Sequence, residues 1–97
     1  MADPEFEWDE AKRGSNLKKH GIDFKDTPEL FAKPHLEDYD SDSPVDEDRW
    51  RAIGLIGDRV VFCVYTERHN KRRIISARPA NTEETVLYYE RFWFDVY

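Results

Sequence analysis

The chain has 97 residues, a single cysteine and 14 % aromatic residues; this length supports one folded domain, and the aromatic content excludes a disordered chain. The formal net charge is −6, which taken alone argues against an RNA or DNA partner because phosphate contacts need Lys and Arg. No run of apolar residues approaches the roughly 20 needed to cross a membrane, the acidic N-terminus is unlike a signal peptide, and the lone Cys63 fits a reducing compartment such as the cytoplasm.

The charge is unevenly distributed along the chain. Residues 1–48 carry a net charge of −9, whereas residues 49–97 carry +3. Asymmetry of this kind is a hint of an anionic partner. Arginines on an open, solvated face of a sheet would give the same pattern.

The N-terminal residues carry little structural signal. Ala2-Asp3-Pro4-Glu5 resembles sequence left by cloning, so the fold is expected to begin near Phe6. No repeat and no linker are visible, and residues 1–97 are expected to form one domain.

The first predicted element is a helix from Asp9 to His20. Asp9 or the preceding turn caps it, and Gly21 suits the left-handed conformation that ends a helix. Its last turn contains Lys18 and Lys19, where cations are favoured by the helix dipole.

The remaining elements follow from spacing and turn residues. A second helix is predicted to begin at Asp26 or Thr27, with Pro28 in its first turn, and Pro34 ends it. The elements expected after it are a short edge strand at Leu36–Asp40, an acidic loop at Asp42–Asp48, strands at Arg49–Ile56, Arg59–Arg68 and Arg72–Arg78, and a helix capped by Thr82 that runs toward Phe92. The apolar tail, residues 93–97, is expected to pack on the domain or on another chain.

Four motifs in this order resemble one family. They are Phe6–Lys12 with Asn16–Phe24, Glu47–Trp50 with Ile53-Gly54, Val64–Arg68, and Arg73–Arg78. Together they are similar to the BrnT family of ribonuclease toxins, and the likeness covers roughly residues 6 to 91.

The resemblance implies an α+β fold of the RelE-like kind: two N-terminal helices, a curved antiparallel sheet of three to four strands, and a closing C-terminal helix. It implies a bacterial type II toxin that cleaves RNA without a metal ion or other cofactor. The implied partner is a BrnA-like antitoxin, through which alone the protein would reach DNA. Two features depart from the family pattern: Pro79 stands where many relatives carry a basic residue, and the loop Glu37–Asp48 is too acidic to lie along RNA.

Two arginines are the leading candidates for binding phosphate. Metal-free cleavage by the ribose 2′-hydroxyl needs a base, an acid and cations around the phosphorane. Arg68 and Arg78 end two predicted strands and are expected to converge on one edge, where the planar guanidinium suits phosphate. The alternative is a structural salt bridge, for instance of Glu67 with Arg72 or Arg78.

Proton transfer is assigned to the end of the first helix. His20 can act as acid or base, and clustering with Lys18 would favour a neutral Lys19; the alternative is that these residues only complement the helix terminus. Glu67 is the second candidate base. The residues expected to make peripheral RNA contacts are Lys18, Arg49, Arg72 and Arg73.

Other residues are given structural roles. Trp50 and Tyr65 are expected in the core more than in base stacking, and His35 and His69 in loops without a role. The segment from Asp38 begins like a calcium loop but lacks its glycine and final glutamate, so no metal site is predicted. The competing function is a non-catalytic, antitoxin-binding co-repressor subunit, which the acidic balance and Pro79 favour.

Overall fold

The computed structural model describes residues 5–92 of the chain. Its elements in order are β1 (Glu5–Glu7), α1 (Glu10–His20), a 3₁₀ turn (Phe24–Asp26), α2 (Thr27–Ala32), β2 (Leu36–Tyr39), β3 (Trp50–Ile56), β4 (Arg59–Arg68), β5 (Lys71–Pro79) and α3 (Thr82–Phe92). The α+β class, the two N-terminal helices and the closing helix are therefore confirmed. The tail that was expected to pack, residues 93–97, lies outside the described residues.

The sheet has one strand more than predicted and is mixed. Its order is β1-β5-β4-β3-β2, with β1 parallel to β5 and the other neighbours antiparallel. The fold was expected to begin near Phe6 with no strand there, because three residues are too few to show an alternating pattern. Phe6 lies opposite Arg72 in this pairing, and its ring contacts Phe31 of α2.

The two faces of the sheet have different roles. The core face carries the buried side chains of β4, namely Val61, Cys63 and Tyr65, and α1 and α2 pack against it. The outer face carries the alternate residues Phe62 and Val64, and α3 crosses part of it. An irregularity in the β4–β5 register lies at Val64/Tyr65.

The core lies between the sheet and the two N-terminal helices. Gly54 is needed there because a Cβ at this position would lie 2.9 Å from the Cγ of Leu30. Cys63 is fully buried, and burial raises the pKa of its thiol to about 12, which makes it an unreactive core residue. The buried cluster is Ile22, Phe24, Leu30, Ala52, Val61, Cys63, Tyr65, Ile74 and Ala77.

Helix α1 is capped as predicted. The Asp9 carboxylate accepts hydrogen bonds from the backbone N–H of Ala11 and Lys12, and Gly21 ends the helix with φ of 74°. The helix begins beside β1 and reaches β5 at Asn16, whose side-chain Nδ2 donates to the carbonyl of Ala77 at 2.7 Å. It therefore runs along β5 in the strand's own direction.

Helix α3 is capped by Asn81, so the prediction of Thr82 as the cap was wrong. The backbone N–H of Glu84 donates to the Asn81 side chain at 2.8 Å, and the N–H of Asn81 donates to the Glu84 carboxylate at 2.9 Å. This reciprocal pair is the capping box, and it places the cap three residues before the glutamate. Within residues 5–92, none of the helices is both long and apolar enough to span a lipid bilayer.

Candidate functional site

The predicted phosphate-binding arginines lie at opposite ends of the sheet. Arg68 is opposite Lys71, whereas Arg78 is opposite Phe62. Along β4 this separation corresponds to about 20 Å at the usual rise per residue. The prediction that Arg68 and Arg78 converge was wrong, because consecutive antiparallel strands end at opposite ends of the sheet. The two regions are called below the Arg78 end and the Arg68 end.

Arg78 is held on the outer face by a carboxylate and an aromatic ring. Its two terminal nitrogens donate to the two oxygens of Glu84 at 2.8 and 2.9 Å. Its guanidinium carbon lies 4.1 Å from the centroid of the Phe62 ring. The expected structural alternative was a pair with Glu67, and the observed partner is Glu84 from α3. Arg78 thus links α3 to the sheet, and the hydrogen bonds that it donates to Glu84 raise its pKa.

A second guanidinium, which the sequence analysis did not select, lies nearby on the outer face. Arg51 of β3 is opposite Val64, and it donates to both oxygens of Asp38 at 3.0 and 2.8 Å. Burial tends to raise the pKa of Glu84, but hydrogen bonds from Arg78 and from the Asn81 N–H, with the positive charge of Arg51, lower it overall. Side chains alternate between the two faces along β3, so the sequence could have placed Arg51 on the same face as Ile53 and opposite to Ala52.

A groove of about 310 Å³ separates α3 from this part of the sheet. It combines apolar walls with charged groups, the usual composition of a binding site. Its lining is Leu36, Glu37, Asp38, Arg51, Ile53, Phe62, Glu84 and Leu87.

The end of α1 lies at the Arg78 end. The Asn16 side chain makes three hydrogen bonds: Nδ2 donates to the carbonyls of Ala77 and Ile22, and Oδ1 accepts from the Ala77 N–H. Lys19 and His20 follow Asn16 by about one helical turn, or roughly 5 Å along the axis. They therefore lie near the end of β5 that contains Arg78, whereas the Arg78 side chain itself lies on the outer face, opposite Phe62. Lys18 and Lys19 are exposed and His20 is half-buried.

The cations at the Arg68 end are each near a carboxylate of the same chain. Arg68 lies 3.6 Å from Glu47, and Glu67 beside it is exposed. The acidic loop, which was considered too acidic to lie along RNA, supplies this carboxylate. The remaining pairs at this end are Arg49 with Glu47, Lys71 with Glu5, and Arg73 with Glu7.

Arg72, which was also predicted to contact RNA, packs against aromatic rings. It lies on the core face, with its guanidinium 4.4 Å from the Phe31 centroid and 5.5 Å from the Tyr65 centroid. Tyr65 is 1 % exposed, so its assignment to the core is confirmed. The core face places Arg72 apart from both Arg68 and Arg78.

His35, to which no role was assigned, belongs to a chain of hydrogen bonds on the core face. Its Nδ1 lies 2.7 Å from the carbonyl of Lys33, and its Nε2 lies 2.7 Å from the Glu37 carboxylate. The other Glu37 oxygen accepts from the Tyr65 hydroxyl. Both ring nitrogens thus face oxygen atoms of the same chain. A histidine two residues before a glutamate in a loop gives no sign of this arrangement in the sequence.

The Arg78 end has the better chemistry for binding a phosphodiester. It offers two guanidinium groups beside a groove on the outer face, and the end of α1 that carries Lys19 and His20 follows Asn16, which is bonded to the neighbouring Ala77. The Arg68 end is dominated by carboxylates. Among residues 5–92, no group of three or more His, Cys, Asp or Glu side chains is arranged to hold a metal ion.

Comparison with known proteins identifies a family. The family model described as BrnT, ribonuclease toxin of type II toxin–antitoxin systems, matches residues 8–84, which is most of the chain. No curated protein matches the chain.

Proposed function

Because the chain belongs to the BrnT family of ribonuclease toxins of type II toxin–antitoxin systems, we propose that it is an endoribonuclease that cleaves RNA without a metal ion. The observation that carries the proposal is the pair of guanidinium groups, Arg51 and Arg78, on one face of the sheet beside a groove. The ribose 2′-hydroxyl attacks the adjacent phosphorus, the 5′-oxygen leaves, and a 2′,3′-cyclic phosphate is formed.

The phosphate is held at the Arg78 end. Arg78 presents a planar fork to two non-bridging oxygens, and Arg51 adds a second positive charge that stabilises the phosphorane. Phe62 lies against Arg78 and provides an apolar surface for a base or sugar.

Proton transfer falls to the end of α1. His20 can take the proton from the 2′-hydroxyl and return it to the 5′-oxygen, and such groups contribute roughly 10²–10⁴-fold to a rate. Lys19 supplies a further positive charge beside the phosphate. Their position one turn beyond Asn16, which is bonded to Ala77, supports this assignment.

The residues at the Arg68 end cannot touch the same phosphate, and we assign them to the flanking strand. A distance of about 20 Å along β4 corresponds to a few nucleotides of extended RNA. Arg68, Arg73 and Arg49 are then contacts for neighbouring phosphates, each in competition with a nearby carboxylate. Exposed Lys18 would extend the contact surface at the other end, while Glu67 and Arg72 lie outside the proposed catalytic centre.

The test is cleavage of bulk RNA by the purified protein, freed of any partner, in the presence of EDTA. We expect degradation that yields 2′,3′-cyclic phosphate ends, and no cleavage of 2′-O-methyl RNA. Arg78→Ala and His20→Gln should each lower the rate at least tenfold. Arg59→Ala, an exposed arginine at the start of β4, is the matched control. Equal rates of RNA cleavage by Arg78→Ala and Arg59→Ala would show that the catalytic site does not lie at the Arg78 end.

One set of contacts favours a different function, that of a non-catalytic antitoxin-binding co-repressor subunit. Arg51, Arg73 and Arg78 are each paired with a carboxylate of the same chain, and a phosphate must displace these partners. RNA that stays intact across repeated preparations, with the antitoxin still bound tightly, would establish this second function.

The family implies an antitoxin partner, and we propose that it is a small BrnA-like protein encoded nearby. The pair acts in the cytoplasm, where messenger RNA is available, and the toxin reaches DNA only through the antitoxin. Co-expression should yield a complex that survives purification, and expression of this chain alone should arrest growth. Growth unaffected by the chain alone, in a strain lacking the antitoxin, would contradict a toxin role.

A further inference from the structure

The anion site at Arg78 is already filled by a group of the protein itself. The Glu84 carboxylate receives two hydrogen bonds from Arg78 and one from the backbone N–H of Asn81. Its side chain is 14 % exposed, against 34 % for Arg78. The donors that would receive a phosphate are therefore engaged by a carboxylate of matching planar geometry.

Because Glu84 belongs to α3, its contact with Arg78 can break without a change in the sheet. Arg78 is on β5, whereas Glu84 is in the first turn of α3, and the two are joined through the short segment Pro79–Asn81. The groove between α3 and the sheet runs past Glu84 and Leu87 on one side and Arg51 on the other. A side-chain rotation of Glu84, or a small outward movement of α3, would release the Arg78 fork toward the groove.

We propose that Glu84 is an intramolecular competitor for the RNA phosphate that Arg78 binds, so that α3 limits access to the site. The inference rests on the proposed function and concerns regulation of the same site. RNA binding requires a phosphate oxygen pair to replace the carboxylate oxygens on Arg78. Any partner that holds α3 against the sheet closes the site, and any that draws α3 away opens it.

The experiment measures the affinity of the antitoxin-free protein for a 2′-O-methyl RNA oligonucleotide by fluorescence anisotropy. The probe binds but lacks the hydroxyl needed for cleavage. Glu84→Gln removes the competing charge and keeps a side chain suited to the capping box. We expect a rise in affinity of about two- to five-fold, as for a partly exposed ion pair.

Two further variants separate competition from overall charge and from folding. Glu83→Gln makes the same change of charge one residue earlier, at an exposed position of the same turn, and its effect should be clearly smaller. Glu84→Asp keeps the charge but shortens the side chain so that it cannot span to the Arg78 fork, and affinity should also rise. Thermal melts confirm that each variant is folded.

The outcomes distinguish this inference from the proposed function. If the wild type cleaves RNA through Arg78 while Glu84→Gln and Glu83→Gln bind the probe equally, competition is overturned and the ribonuclease stands. Weaker binding by both Glu84 variants would also overturn it, because Glu84 would then be a support for Arg78. If neither the wild type nor the Glu84 variants bind the probe, the inference and the ribonuclease function both fall.

Discussion

Asn16 is the residue on which the placement of α1 depends. Its buried amide satisfies both backbone groups of Ala77 and the carbonyl of Ile22. In Asn16→Ala these groups lose their partner, and we expect the free energy of unfolding to fall by about 2–3 kcal/mol. Denaturant unfolding measures this, with exposed Ser15→Ala as the control. A change in Asn16→Ala no larger than that of the control would show that water replaces the amide at no cost.

The Asp23–Arg13 pair gives a pH-dependent contribution to stability. Hydrogen bonds from Arg13 and from the Lys25 N–H lower the pKa of Asp23 to about 2, below the value of an unfolded chain. The stabilisation is therefore present above about pH 4 and is lost as the pH falls toward 2. We expect the melting temperature of Asp23→Asn to vary less between pH 4 and 2 than that of the wild type. Asp26→Asn, an exposed neighbour, should retain the wild-type dependence.

The individual residues of the candidate site were only partly predictable from the sequence. Arg78 was selected from its motif, but its partner Glu84 was not, because the pairing depends on how α3 returns over the sheet. The expected meeting of Arg68 and Arg78 required a register that an antiparallel hairpin does not allow. Strand direction alone decides this point, and the expected antiparallel sheet already implied it.

At the level of elements, the adjacent residues Asn81 and Thr82 can be compared directly as caps of α3. Asn81→Ala removes the acceptor for the Glu84 N–H, and we expect a loss of about 1 kcal/mol. Thr82→Ala should leave stability within roughly 0.5 kcal/mol, because Thr82 is exposed and already inside the helix. Unfolding in urea measures both. A larger loss of stability in Thr82→Ala than in Asn81→Ala would show that Thr82 is the cap, as the sequence predicted.

Most helices and strands were predictable because their signals are local. Asp9 and Gly21 mark both ends of α1. The run of apolar, β-branched and aromatic residues between two turns predicts β4 with its observed bounds, Arg59–Arg68. Strand β1 was not predicted because it is short and because its pairing with β5 joins residues far apart in the chain. Its contribution comes from contacts such as that of Phe6 with Phe31, which no local pattern reveals.

For the whole molecule, the net charge of −6 limits how RNA can be held. If only the five arginines assigned to phosphates above touch them, the logarithm of the binding constant should fall with the logarithm of salt concentration with a slope of about −3.5. Anisotropy titrations across a salt series measure the slope. A slope near −6 would require many more phosphate contacts than the paired arginines of the outer face provide.

The Asn16 amide also affects how copies of the chain meet. Beyond the short β1, it occupies the hydrogen-bonding groups of Ala77 that an incoming strand would need. At the opposite border of the sheet, β2 displays Glu37 and Asp38, whose like charges repel a second β2. Both edges of the sheet are thus protected against strand-by-strand polymerisation. At one edge the Asn16 amide occupies the backbone hydrogen-bonding groups, and at the other edge like charges repel. A preparation that loses Asn16 would accordingly be prone to form sheet-rich aggregates even where the domain still folds.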